Sequence, residues 1–148
     1  MVHNEGCGDA RVKQMKAAVK LSIVLGAALI CRSTLAQEPA KPNLVHREVV
    51  QGMPRGERQE IQVLTATIAP GQSTVFHTHF FPVTVYMLEG TFTLEVEGQK
   101  SVTVRAGQSL VEPPNVRMTG FNRSATEAIR LVIFYVAEPG TPFLNPIH

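Results

Sequence analysis

From residue 44 to residue 136 the chain alternates between short runs rich in β-branched and aromatic residues and turn signals about every ten residues. This spacing is typical of an all-β domain. The predicted strands are 44–50, 61–69, the stretch around residues 77–79, 83–89, 91–97, 101–104, 109–112, 116–122 and 128–136. No helical periodicity is present after residue 36.

Two of these runs indicate how the strands are arranged. Residues 91–97 alternate cleanly, with Phe92, Leu94 and Val96 on one face. Residues 128–136 are apolar on both faces, as expected of a strand in the middle of a barrel. About ten strands that close on themselves predict an antiparallel jelly-roll barrel.

Residues 1–36 have the pattern of a cleaved secretory signal peptide. A positively charged region is followed by an apolar run at 21–30, and Ala36 offers a small residue before the cleavage point. The basic residues are Arg11, Lys13, Lys16 and Lys20. Met15 is an alternative start, which would leave residues 1–14 untranslated. The pattern predicts an exported protein, either periplasmic or extracellular.

After the leader, residues 37–43 read as a polar linker, residues 44–137 as the barrel and residues 138–148 as a C-terminal tail. Prolines throughout the tail exclude a helix there. Its apolar side chains, Phe143, Leu144 and Ile147, are expected to pack over a barrel end or against a neighbouring subunit.

Charge and cysteine content exclude several functions. The net charge of +2 arises in the leader, because residues 37–148 hold nine Lys/Arg against ten Asp/Glu. The mature part therefore offers no electrostatic case for nucleic acid binding, and no membrane partner is expected after leader removal. Cys7 and Cys31 both lie in the leader, so the mature part has no disulfide, thiol nucleophile or thiolate ligand.

His77 and His79 are the candidate metal-binding residues. Side chains two residues apart in a strand point to the same face, so the two imidazoles are expected to enter one cavity. Neutral imidazole is a good ligand for Zn, Cu, Fe or Ni.

The stretch from Gly71 to Gly90 resembles the first motif of the cupin family, in which a glycine precedes His-x-His, a glutamate and a second glycine. Gly71, His77, His79 and Gly90 have the matching spacing, but Val83 stands where the motif has glutamate. Residues 107–122 are similar to the second motif. Gly107, Pro113 and Asn122 match it, whereas Asn115 replaces a glycine and Met118 replaces a histidine.

The resemblance, over roughly residues 60–137, implies a single-domain cupin whose usual site holds a divalent metal (Fe, Mn, Zn, Ni or Cu) with three histidines and a glutamate. Two of those four ligands are missing here, which predicts a degenerate two-histidine site with weak metal binding. Candidates to complete the set are His46, His148, Glu112 and Thr84. Glu112 has an alternative interpretation, as a rim salt bridge with Arg117.

Met118 leaves two interpretations open. Its soft thioether, with His77 and His79, would suit copper in an oxidising compartment, or its side chain simply fills the space of the replaced histidine. The aromatic residues near the histidines predict an apolar barrel mouth. The predicted ligand-binding residues are Phe76, Phe81, Tyr86 and Asn122.

Two classes of function follow. The first is an exported barrel that binds a small, partly apolar or aromatic molecule without chemistry of its own. The second is a metal-dependent enzyme, of the oxygenase or isomerase type that the cupin resemblance implies. The apolar run 128–136 and the family resemblance also predict a homodimer.

Overall fold

The computed structural model describes residues 38–148, which form nine β-strands and no helix. The strands are β1 Glu60–Ile68, β2 His77–Thr78, β3 Val83–Glu89, β4 Thr91–Val96, β5 Val102–Arg105, β6 Ser109–Glu112, β7 Met118–Phe121, β8 Ile129–Ala137 and β9 Asn145–Pro146. The predicted all-β class is confirmed, and its two antiparallel sheets are consistent with a jelly roll.

One sheet has the strand order β1-β8-β3-β6, and the other has the order β5-β4-β7-β2-β9. The core lies between them, because alternate residues of each strand are buried on one face. In β8 the inward residues Ile129, Leu131, Ile133, Tyr135 and Ala137 are all buried. The run 128–136 is therefore central in its sheet, as predicted, but only one of its two faces is fully buried.

Two positions in this core require glycine because neighbouring side chains leave no space for a Cβ atom. Gly90 joins β3 to β4 with a φ of 79°, and a Cβ there would lie 2.6 Å from the Ile129 side chain. In β7, a Cβ on Gly120 would lie 2.2 Å from the Phe92 ring. Gly120 therefore leaves room for the Phe92 ring on the inner face of this sheet.

The strand predicted over residues 44–50 is wrong. These residues have no strand conformation, and Leu44 and Val49 are strongly exposed. Residues 48–52 pass beside Pro82, Pro113 and Pro114, which have no N–H group to donate to a sheet. Beside residues 48–52, these prolines cannot donate the hydrogen bonds that an additional strand would accept.

The predicted strand around the histidines is shorter than expected. β2 has only two residues, because the chain leaves the sheet immediately after Thr78. The carbonyl of His79 accepts a hydrogen bond from the Asn115 amide at 2.7 Å, and Asn115 itself has a φ of 59°. This loop-to-loop bond holds the Phe80-Phe81-Pro82 bend between β2 and β3.

The predicted leader lies outside the described residues and stays a prediction, as do the boundaries of the linker, barrel and tail. Within residues 38–148, no helix has the length and apolar character needed to cross a bilayer.

Candidate metal centre

His77 and His79 both enter the interior, as their strand spacing predicts. Each side chain is buried. In the sheet, β2 lies between β7 and β9, and His77 is directly opposite Met118 of β7. Met118 is also buried, and it lies beside His77 in the sheet.

Glu112 brings a carboxylate to the two imidazoles. The Nε2 atoms of His77 and His79 are 3.0 Å apart, and a Glu112 carboxylate oxygen lies 3.0 Å from Nε2 of His79. All three residues are buried, and their ligand atoms lie within 4.8 Å of one another. The group His77, His79 and Glu112 can therefore hold a metal ion.

The hydrogen bonds of the two rings determine which nitrogens carry lone pairs. Nδ1 of His77 is 2.7 Å from the Val75 carbonyl oxygen, and Nδ1 of His79 is 2.6 Å from the Phe143 carbonyl oxygen. A carbonyl oxygen only accepts, so each Nδ1 must donate. In the neutral rings, both Nε2 atoms are consequently acceptors.

Three acceptors thus converge: Nε2 of His77, Nε2 of His79 and the Glu112 carboxylate. A single proton shared between two of these atoms relieves the repulsion within only one close pair. A divalent cation attracts all three, and the carbonyl bonds to Nδ1 are the usual orienting contacts of metal-binding histidines. The donor set therefore fits a metal.

The environment of His77 favours the neutral ring that a metal requires. Burial lowers its pKa below the ordinary value, and the positive charge of a protonated His79 would lower it further. The hydrogen bond to Val75 and the charge of Glu112 oppose this shift without reversing it. Neutral imidazole is the metal-binding form.

The motif comparison did not place Glu112 at the site, because the expected glutamate position, Val83, lies on a different strand. In the structure Val83 of β3 is directly opposite Glu112 of β6. The two side chains therefore point to the same inner face. Glu112 thus brings a carboxylate from the neighbouring strand, and the group that could hold a metal has three members, where the sequence predicted two histidines.

The other candidates to complete the set lie elsewhere. His46 contacts Glu48 at the surface, and His148 is exposed. Thr84 faces away from the interior, as the alternation of β3 requires. The alternative salt bridge between Glu112 and Arg117 does not form, because Arg117 pairs with Glu97 at 3.3 Å.

A cavity of about 190 Å³ adjoins the metal ligands between the two sheets. His77 and Glu112 contribute to its wall, and most of the remaining wall is apolar. The lining residues are Ala66, Ile68, Thr74, His77, Val85, Phe92, Glu112, Leu131, Ile133, Phe143 and Leu144.

The four predicted ligand-binding residues do not line this cavity. Phe76 is partly exposed in a surface depression beside Glu95 and Glu97, and Tyr86 points outward from β3. Phe81 packs at the edge of the core against the ring of Tyr135. Ligand binding by these four residues stays a prediction.

Asn122 has a structural role. Its side-chain NH₂ donates to the carbonyls of Ile68, Ala69 and Glu127, and its side-chain oxygen accepts from the Ser124 amide. These contacts use its hydrogen-bonding capacity to fix the turn before β8. A ligand would have to displace them.

Tyr135 is a buried polar residue near the site. The sequence pattern of β8 did not distinguish it from the apolar core residues. Its ring lies 6.2 Å from that of His79 and 5.6 Å from that of Phe143. The hydroxyl has no hydrogen-bond partner among the described residues. Burial raises the pKa of this hydroxyl.

Comparison with known proteins identifies the fold independently of these contacts. Residues 64–134 match the cupin domain family. No curated protein is significantly similar to the chain in sequence.

Several solved structures share the fold at low sequence identity. A cupin-like protein from Thermotoga maritima is 18% identical, with a TM-score of 0.51 over 59% of this chain and 64% of that one. A DMSP lyase is 15% identical, with a TM-score of 0.51 over 60% and 44%. The chain thus spans less than two thirds of either protein.

A protein with a double-stranded β-helix domain from Klebsiella pneumoniae matches over more of its length. It is 17% identical, with a TM-score of 0.51 over 74% of this chain and 99% of that one. Identities this low establish a shared fold and no shared activity. The family match over residues 64–134 and the shared fold agree with one another.

Proposed function

We propose that this protein binds a divalent metal through His77, His79 and Glu112 and admits a small, mainly apolar molecule to the adjoining cavity. The observation that carries the proposal is the convergence of three buried ligand atoms, all of which are acceptors when the two rings are neutral. Without a cation, this arrangement places lone pairs and a carboxylate in mutual repulsion.

The donor set favours zinc or iron. Two imidazoles and one carboxylate occur in catalytic zinc sites and in non-haem Fe(II) sites, both of which retain open positions. A metal held here would act as a Lewis acid on a bound polar group. His77 and Glu112 would hold it at the cavity wall, and the apolar side chains would exclude water from the rest of the space.

Copper is the second candidate, and Met118 is the observation that favours it. Met118 is buried and lies directly opposite His77 in the sheet. A thioether suits copper, whereas the Glu112 carboxylate is a harder ligand. Affinities for Cu⁺ and Zn²⁺ before and after Met118→Leu separate these possibilities, since only a copper site should weaken.

The cavity limits the ligand. A cavity of about 150 Å³ lined by leucine, isoleucine and phenylalanine side chains can bind benzene, so the space here suits one small ring or a short aliphatic chain. A polar group on that molecule is expected to face His77 and Glu112. The other polar side chain in the wall is Thr74.

A metal-dependent enzyme of the oxygenase or isomerase type is the functional alternative to simple binding. It is favoured by the position of the metal ligands in the wall of the cavity, where a bound molecule would contact the metal. The protein's neighbours in structure include a DMSP lyase, but a fold alone does not select a reaction.

Metal titration is the primary test. We expect one Zn²⁺ or Fe²⁺ per chain by calorimetry, and a rise in stability of about 2.7 kcal/mol at a hundredfold excess over the dissociation constant. A rise of this size should increase the melting temperature by roughly 10 °C. Failure of Zn²⁺, Mn²⁺, Fe²⁺ and copper to bind the chelator-treated protein would contradict the proposal.

The homodimer remains a proposal, and the structure suggests β1 as its interface. β1 is a nine-residue edge strand, and its outward side chains Ile61 and Val63 are 73% and 61% exposed. It contains no proline, lysine or bulge, which are the usual protections of an edge. Phe134 extends this apolar face onto β8.

We expect a dimer at micromolar concentration, formed by antiparallel pairing of two β1 strands. Val63→Lys should give a monomer, because a charge on the strand opposes edge pairing. Val102→Lys is the matched control, since Val102 is also exposed and lies on the edge strand β5 of the other sheet. Light scattering that shows monomeric wild-type protein throughout this range would overturn the proposal.

A further inference from the structure

The C-terminal tail is attached to the strand that carries His77. β9 pairs with β2, so that His77 is opposite Pro146 and Thr78 is opposite Asn145. Beyond β9, the Ile147 amide donates to the Phe76 carbonyl at 2.9 Å. These contacts hold the last residues of the chain against the metal centre.

The tail also supplies the direct partner of His79. The Phe143 carbonyl accepts from His79 Nδ1 at 2.6 Å, across 64 residues of sequence. The Phe143 ring lies 4.9 Å from the imidazole and also contacts Tyr135. Both the direction of the His79 ring and the nitrogen that carries its lone pair therefore depend on Phe143.

Two residues of the tail form part of the cavity wall. Phe143 and Leu144 line the cavity together with side chains from both sheets. The tail thus separates the cavity from solvent on one side while it contacts a metal ligand with its backbone.

We propose that the tail is a positioning and specificity-determining element: the Phe143 carbonyl sets His79 for metal binding, and the Phe143 side chain limits the size of the molecule in the cavity. This inference rests on the proposed metal site. It follows from the geometry because one residue, Phe143, contacts His79 through its backbone and the cavity through its ring.

Removal of the tail tests the positioning role. A chain that ends at Pro142 loses the Phe143 carbonyl and β9, and its affinity for Zn²⁺ should fall by about 10- to 100-fold, as for other orienting partners of metal-binding histidines. Circular dichroism and thermal melting in chelator show whether the barrel stays folded.

Two full-length variants test the positioning role if the shortened chain does not fold. Ile147→Pro removes the N–H that bonds to Phe76 and loosens the tail, whereas Ile147→Ala keeps that N–H. We expect Ile147→Pro to lose part of the Zn²⁺ affinity and Ile147→Ala to retain nearly all of it.

Phe143→Ala distinguishes the effect of the backbone carbonyl from the effect of the ring. It keeps the carbonyl, so Zn²⁺ affinity should stay within about threefold of wild type, well short of the loss expected for a missing orienting partner. In the Zn²⁺-loaded protein, where the cation can receive a carboxylate, the enlarged cavity should raise the affinity for 2-naphthoate relative to benzoate by at least about tenfold. An unchanged ratio would overturn the role of the ring in specificity.

The outcomes for the tail and for the metal site are distinguishable. If wild-type protein binds no metal, the proposed function fails. If wild type binds Zn²⁺ and both the shortened chain and Ile147→Pro bind it equally well, the metal site stands and the positioning role of the tail is wrong. A loss of Zn²⁺ affinity in Phe143→Ala as large as that on truncation would assign the effect to ring packing and contradict the role of the carbonyl.

Discussion

Glu112→Gln is expected to weaken Zn²⁺ binding by about 100-fold or more while the domain stays folded. Glutamine has nearly the same shape but lacks the negative charge, and removing a direct ligand should exceed the 10- to 100-fold loss seen for orienting partners. In chelator, the variant should be at least as stable as wild type, because a buried carboxylate beside two lone pairs has been removed.

The control for this substitution is Glu97→Gln. Glu97 is exposed and pairs with Arg117 at the surface, so its loss should leave Zn²⁺ affinity unchanged. Competition titration against a chelator of known affinity measures both variants. If Glu112→Gln binds Zn²⁺ as tightly as wild type, the carboxylate is not a ligand and the site reduces to the two histidines.

Val83→Glu, which would restore the cupin motif in sequence, is expected to destabilise the metal-free protein by about 3–5 kcal/mol. Val83 is fully buried and directly opposite Glu112. The substitution therefore places two carboxylates side by side on one inner face, where burial and like charge both disfavour ionisation. Added Zn²⁺ should recover part of the loss, because the cation attracts both groups.

Val83→Thr is the matched control, since threonine has a similar shape and no charge. We expect it to lower the free energy of unfolding by about 1–3 kcal/mol, with no recovery on metal addition. Urea denaturation in chelator and in Zn²⁺ measures both variants. A Val83→Glu protein as stable as wild type in chelator would show that Glu112 and residue 83 do not share a buried face.

Much of the fold follows from local sequence. The strands at Val83–Glu89, Thr91–Val96 and Ser109–Glu112 lie within one residue of their predicted positions, because alternation of apolar residues and turn glycines act over a few residues. The inward direction of His77 and His79 follows from the same period. The error at residues 44–50 has a non-local cause, since an apolar run becomes a strand only where a neighbouring edge can hydrogen-bond to it.

The candidate metal centre was predicted only in part. The sequence by itself determined the class of fold, the paired imidazoles and the loss of the usual glutamate at Val83. Only the tertiary structure brought Glu112 opposite Val83 and the Phe143 carbonyl onto His79. Both contacts depend on strand register and on the path of the tail, which are set by packing between residues far apart in the chain.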